Sequence, residues 1–309
     1  MIHYLEHNAI DRSKWDALVS EGGLIYAQSW YLDIVHPDWE ALVLGDYEAI
    51  MPITGGMKFG VRYLFQPFFV QQLGVISRDA LSAETLLGFL NAIPKKFRFA
   101  EIKLNEKNVL DGDVQGIDHH RNIILDLNHD YNIIHANYHN NTKRNLVKSE
   151  QLDLQVIEMC NLMQVIKLFR EHRGATVGVW GDEEYATLSR LGEVAMKRGA
   201  AFTVGVTEKG SEALLCGALF MKTADRVVFL FSGNSDKGKE TQAMTFMLDA
   251  MIQRFANQPV LLDFEGSDDP NLARYYLGFG GEERRYPSYT FNAMSAAGKA
   301  LLRLWKGWK

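Results

Sequence analysis

The sequence has little cysteine and little proline. Two cysteines, Cys160 and Cys216, occur in 309 residues, each inside an apolar stretch with no CxxC partner or histidine cluster nearby. That excludes a disulfide framework and a thiolate zinc site, and leaves two buried thiols suited to a reducing compartment. Only seven prolines, in a chain that is 47% hydrophobic and 23% charged, exclude a large disordered region. No run reaches the roughly 18–20 apolar residues of a spanning helix. The opening "MIHYLEHNAIDRSKW" has neither a basic stretch nor an apolar core, so a cytoplasmic protein without a signal peptide is expected. Positive charge is not in excess either. The net charge of −5 at pH 7 argues against a protein coated in DNA or RNA.

What is present is an alternation of strands and helices, in a chain longer than the usual domain of about 100–150 residues. "EALVLGD" and "EAIMPITGG" form two strands around a turn at Asp46 and Tyr47, and "VRYLFQPFFV" and "QLGVIS" are extended. Ser82 caps an amphipathic helix that runs to about Ile93 and is ended by Pro94, after which "FAEIKL" returns as a strand. The second half repeats the order. "AAFTVGVTEKGSEALLCGALFMK" is a hairpin turning at Lys209 and Gly210, and "RVVFLFS" is a third strand. "TQAMTFMLDAMIQRF" places Ala243, Phe246, Met247, Ala250, Met251 and Phe255 on one helical face. "VLLDFEG" is apolar enough for a strand buried on both sides. The shared order, offset by roughly 160 residues, suggests a duplication. Between the halves lie the strand "RNIILDLNHDY" and helices over about 131–151, 162–172 and 182–198. The boundary is placed near residue 128, giving domains 1–128 and 129–309, the second with a terminal helix.

Three stretches resemble the FemAB-like N-acyltransferases, the tandem form of the GNAT acyltransferase fold. One is "MPITGGMKFGVRYLFQPFFVQQLGV", with Lys58, Gly60, Gln66, Pro67, Gln71, Gln72 and Gly74 at the family's intervals. Another is "YHNNTKRNLVKSEQLDL", and the third is "LLDFEGSDDPNLARYYLGFGGEERRY". The resemblance implies an α/β fold with mixed sheets, in two tandem GNAT-like domains around a shared interdomain cleft. It implies transfer of an acyl or aminoacyl group to an amine of a cell-wall or sugar-type acceptor, such as a peptidoglycan precursor or a nucleotide sugar. Acyl-coenzyme A is one donor it implies, and aminoacyl-tRNA another. The pyrophosphate motif of single-domain GNAT enzymes is absent from Asn234 to Glu240, where only Gly238 is central, and no long heptad hairpin is present. Two rival readings are a non-catalytic GNAT-fold ligand-binding protein and a polysaccharide-biosynthesis O- or N-acetyltransferase.

The loop Gly233, Asn234, Ser235, Asp236, Lys237, Gly238, Lys239 precedes a helix expected near Thr241. A helix N-terminus stabilises an anion through unpaired N–H groups, and lysines add charge. The same letters also make an ordinary surface turn. Asp263 and Glu265 alternate along an expected strand and so share a face. One of them, preferably Glu265, would take the ammonium proton of the acceptor. Alternatively they cap a helix or pair with Arg274 or Arg284. Among Tyr275, Tyr276 and Tyr286, whose rings also suit core packing, Tyr286 is kept as a candidate acid. Gln66, Gln71, Gln72 and Lys58 would line an acceptor groove, and Arg144, on a basic face with Lys143 and Lys148, would meet a substrate anion. His119 and His120 lack a partner at helical spacing, so no metal is assigned. The tail "GKALLRLWKGWK", with Leu301, Leu302, Trp305 and Trp308 on one side, either lies on a membrane surface or docks on its own domain.

Overall fold

The structure, a computed structural model, describes residues 1–22, 24–110, 114–174, 180–266, 268–294 and 298. The expected C-terminal helix with Leu301, Leu302, Trp305 and Trp308 lies outside the described residues. The chain forms two compact units. The first holds Met1–His120 and the chain from Arg285, and the second holds Arg121–Arg284.

In chain order the first unit begins with β1 (Ile2–Leu5), α1 (Arg12–Gly22), α2 (Ser29–Val35), β2 (Glu40–Leu44) and β3 (Ala49–Ile53). It continues with β4 (Gly55–Lys58), β5 (Val61–Phe65), β6 (Ile76–Ser77), α3 (Ala83–Ala92) and β7 (Phe97–Lys103). Strand β8 (Ile117–Asp126) leads into the second unit, which holds α4 (Tyr131–Ala136), α5 (Asn140–Glu150), β9 (Leu154–Glu158), α6 (Leu162–Phe169) and α7 (Asp182–Lys197). Then come β10 (Ala201–Glu208), β11 (Leu214–Lys222), β12 (Arg226–Asn234), α8 (Asp236–Glu240), α9 (Ala243–Phe255), β13 (Leu261–Asp263) and α10 (Pro270–Leu277). Strand β14 (Glu282–Asn292) carries the chain back to the first unit.

The first unit contains an antiparallel sheet β1-β2-β3-β6 and a second run β4-β5-β7-β14, in which β5 and β7 are parallel. The crossover is α3, capped as expected: the Ser82 side chain accepts the Thr85 N–H at 3.1 Å. Its buried Leu86, Phe89 and Leu90 pack on Leu64, Ala100 and Ile102. The second unit runs β8-β13-β12-β11-β10-β9, with β12 and β13 parallel and joined through α9. Each unit therefore contains a hairpin followed by strand, helix and parallel strand. In the first unit the hairpin β2–β3 belongs to a separate sheet from β5 and β7, because an extra hairpin, β4–β5, intervenes.

The domain boundary and one helix differ from the sequence expectation. The chain from Arg285 groups with the first unit because β14 pairs with β7, Ser288 opposite Lys103 and Thr290 opposite Glu101. That long-range pairing has no signature in either strand. The helix expected over 131–151 is two helices, broken before His139, whose N–H donates to the Gly278 carbonyl at 2.8 Å. Among the described residues no helix is long and apolar enough to cross a membrane.

Candidate functional site

Strand β12 is nearly all buried and pairs with β11 on one side, but not evenly. Leu219 lies opposite Phe231 and Phe220 opposite Phe229, so Leu230 is the extra residue of a β-bulge. On its other side β12 pairs with β13 only from Arg226 to Val228, against Leu261 to Asp263. Beyond that point the two parallel strands are no longer laddered. A cavity of about 680 Å³ opens there, lined by Phe229, Leu230, Phe231 and Ser232 of β12 and by Phe264 and Glu265 after β13. This is the carboxyl end of parallel strands, where open α/β sheets place their ligands.

Every residue lining this cavity belongs to the second unit. One wall is aromatic. Phe169 lies 4.8 Å from Phe231 and 4.9 Å from Trp180, measured between ring centroids. Tyr276 stacks on Phe264 at 4.9 Å. His172, Arg173 and Lys239 bring cationic or titratable groups to the rim. Among the described residues the buried Asn234 Oδ1 beside them finds no hydrogen-bond partner, which is uncommon for a buried polar atom. Burial first, and then the Glu265 carboxylate, raise the Tyr276 pKa, while Arg173 opposes the rise. Burial likewise raises that of Tyr275, whose hydroxyl lies 3.2 Å from Thr245 Oγ1. Both phenols stay protonated.

Asp263 and Glu265 do not share a strand face, because β13 ends at Asp263. Asp263 is fully buried and ion-paired, Oδ2 to Arg226 Nη1 at 2.7 Å, a partner that the sequence did not indicate. Its other oxygen accepts the Glu265 N–H at 2.8 Å. Glu265 adopts φ +50°, a left-handed conformation uncommon for residues other than glycine. That turn brings its side chain to the cavity wall. Of the two carboxylates, Glu265 lines the cavity and Asp263 does not.

The lysine loop differs from the expected open turn. Strand β12 extends to Asn234, and Ser235 caps the short helix α8, its Oγ accepting the Gly238 N–H at 3.0 Å. Lys237 pairs with Glu208 at 2.5 Å and Lys239 with Asp236 at 2.8 Å. The N–H groups of Gly238, Lys239, Thr241 and Gln242 all donate within the protein. Gly233 and Gly238 are small for packing: a Cβ would lie 2.5 Å from the Val165 carbonyl oxygen at Gly233 and 2.3 Å from that of Leu215 at Gly238. Gln242, at φ +60°, separates α8 from α9 and gives α9 no side-chain cap. Met244 and Thr245, in the first turn of α9, line the cavity with Asn234, Gly238, Lys239 and Gln242. Gly233, Ser235, Lys237 and Thr241 do not line it. The helix whose first turn lines the cavity thus begins at Ala243, past the start near Thr241 that the loop lettering indicated, after the αL break at Gln242.

The remaining expected site residues lie elsewhere. Tyr286 is in the first unit, buried, with its ring stacked on His120 at 5.6 Å and Lys103 over its face. Arg144 is exposed on α5 and reaches Asn141, and Lys148 beside it donates to the Glu240 carbonyl. Gln66 and Gln72 fasten their loop: Gln66 Oε1 accepts the Lys103 N–H, and Gln72 Oε1 accepts the Glu106 N–H. Gln72 also donates to Gln71 at 2.7 Å. Lys58 and Gln66 line a separate pocket of about 470 Å³ in the first unit. Among the described residues no group of three histidine, cysteine or acidic side chains could hold a metal. The bulge at Leu230, the Arg226 partner and the Phe169–Trp180 wall were missed from sequence. They depend on register and on contacts between distant segments.

No protein-family model matches the sequence, and no curated protein matches it. Solved structures do match. FemX superimposes with a TM-score of 0.65 at 11% identity, over 95% of this chain and 98% of that one. L-PGS from Bacillus licheniformis gives 0.55 at 11% identity, over 95% of each chain. The C-terminal domain of a putative lysylphosphatidylglycerol synthetase from Agrobacterium fabrum gives 0.54 at 9% identity, over 96% of each. By these likenesses the chain has the FemAB-like fold, a mixed α/β architecture of tandem GNAT type.

Proposed function

We propose that the protein is an N-acyltransferase, moving an acyl or aminoacyl group to an amine in the second unit's cavity. The observation that carries this is Glu265, a carboxylate held at a cavity that opens where β12 and β13 stop pairing. The acceptor amine attacks the donor carbonyl, the new C–N bond forms, and the C–S or C–O bond to the carrier breaks. Glu265 takes the ammonium proton directly or through water. Backbone N–H groups of the bulged segment Phe229–Phe231 stabilise the oxyanion, and the Tyr275 hydroxyl donates to the departing atom. The uncapped first turn of α9 receives the anionic part of the donor. Acyl-coenzyme A and aminoacyl-tRNA both present phosphate there. The likeness to the lysylphosphatidylglycerol synthetase domain supports the aminoacyl donor, and the absence of a heptad hairpin gives that donor no further support. A cell-wall or sugar-type amine is the acceptor.

The test is a transfer assay with purified chain, each donor class, and amine acceptors including peptidoglycan precursors and amino sugars. Glu265→Gln should reduce turnover about 10²–10⁴-fold with little change in melting temperature. A fully active Gln variant removes Glu265 from the chemistry. Donor binding without transfer to any amine would favour the non-catalytic reading.

A further inference from the structure

The hairpin of β4 and β5 in the first unit ends in an apolar tip. Met57 is 68% exposed and Phe59 78%, on either side of Lys58. Phe59 takes φ +51°, a left-handed conformation that is an outlier for a bulky residue and that tends to persist where function uses it. Large apolar side chains scattered singly need no explanation. Two on one turn, one of them with a strained backbone, do.

The same end of the sheet is basic. From Gly55 to Phe65 the hairpin carries Lys58 and Arg62 and no acidic residue. Strand β7 runs parallel to β5 with Phe97 opposite Arg62, which brings exposed Lys95 and Arg98 to the tip end of the hairpin. Two acids line the pocket behind the tip: Asp118, and Glu101, which is opposite Phe65 at the other end of β5. Behind the tip, the 470 Å³ pocket starts at Lys58 and Phe59 and continues along Tyr63, Phe65 and Phe99. Exposed Phe and Met flanked by cations, with an apolar recess behind them, match an interfacial membrane anchor, in which apolar groups enter the headgroup–acyl boundary and Lys or Arg meet lipid phosphates.

We propose that this hairpin tip inserts into the surface of a bilayer containing anionic phospholipid. Met57 and Phe59 enter the boundary, and Lys58, Arg62, Lys95 and Arg98 face the phosphates. The proposal does not rest on the acyl-transfer reading, and its test does not measure transfer.

The full chain is sedimented with phosphatidylcholine vesicles, with and without phosphatidylglycerol. Binding is expected only with phosphatidylglycerol, and weaker at high salt because screening shortens electrostatic reach. The double variant Met57→Ser, Phe59→Ser should lose binding about tenfold or more with an unchanged circular dichroism spectrum. Because Cys160 and Cys216 are buried, Phe59→Cys can be labelled selectively with an environment-sensitive dye. Its emission should shift to the blue on adding the anionic vesicles. Binding that survives in the double variant, a label that stays in water, or a tip that mediates only self-association of the chain would each overturn the proposal.

Discussion

Asp263 and Glu265 stand two residues apart, and the side chain of the first holds the backbone of the second: Asp263 Oδ1 accepts the Glu265 N–H at 2.8 Å while Oδ2 binds Arg226 at 2.7 Å. Asp263 therefore ties the left-handed turn at Glu265 to a buried ion pair. Asp263→Ala takes the carboxylate away from a guanidinium whose side chain is only 11% exposed. Urea unfolding should show a loss of about 3–5 kcal/mol. Asp263→Asn, which keeps an oxygen for Glu265, should lose less. Wild-type stability in the Ala variant would show that the pair does not hold this turn.

The anion-binding element is predicted to be the first turn of α9 and not the lysines before it. Lys237 and Lys239 are exposed and already paired, so Lys237→Ala with Lys239→Ala should change stability by no more than about 1 kcal/mol. Met244→Asp places a negative charge where Met244 lines the cavity. It should weaken binding of acetyl-coenzyme A, or of another phosphate-bearing donor, by about tenfold at low salt and less as salt rises. Titration calorimetry at two ionic strengths decides it. A larger loss in the lysine double variant would return the anion site to the loop.

Gly238 is predicted to matter for packing. A methyl group there would meet the Leu215 carbonyl oxygen and Asn234 Oδ1, each at 2.3 Å. Gly238→Ala should lower stability by about 1–3 kcal/mol through overpacking, with the effect visible in the thermal midpoint even when no ligand is added. An unchanged midpoint would mean that α8 shifts freely against β11.

Alkaline pH should destabilise the fold before it damages the chain. Burial, the largest cause in each case, raises the pKa of Tyr131, Tyr138, Tyr275 and Tyr276 in the folded state. The unfolded chain ionises its tyrosines near pH 10. Below that pH both states hold the proton and stability is complete. Above it the unfolded state releases protons that the folded state keeps, so stability falls as pH rises. Urea midpoints between about pH 8 and 11 should show the decline. Tyr138→Phe should make it shallower while costing about 1–3 kcal/mol at neutral pH, because Asp249, 2% exposed, loses a 2.9 Å donor. A midpoint independent of pH across that range would refute the linkage.

Local chemistry was legible in the sequence. Ser82 before α3 and Pro94 after it marked a helix because a hydroxyl cap and a missing N–H act within one turn. The hairpin of β10 and β11 was visible for the same reason, in the alternation of its strands and the positive φ of Gly210. Even the FemAB-like order of motifs was legible, since each motif is a local arrangement repeated at an interval. Glu265 does line the cavity, but the alternation used to put it on one face with Asp263 is not followed, because β13 ends at Asp263.

Composition and short-range pattern determined which segments become strands and helices, and that two units repeat one plan. Tertiary structure alone decided which side chains meet. Asp263 found Arg226 across two parallel strands, and β14 found β7 nearly two hundred residues away. A bulge puts Leu230 just past the end of the β12–β13 pairing, and an αL turn at Gln242 precedes the helix whose first turn lines the cavity. Each of these depends on the register between segments distant in sequence. Register is fixed by the packing of whole faces, and a change of one residue in it turns every side chain to the other side.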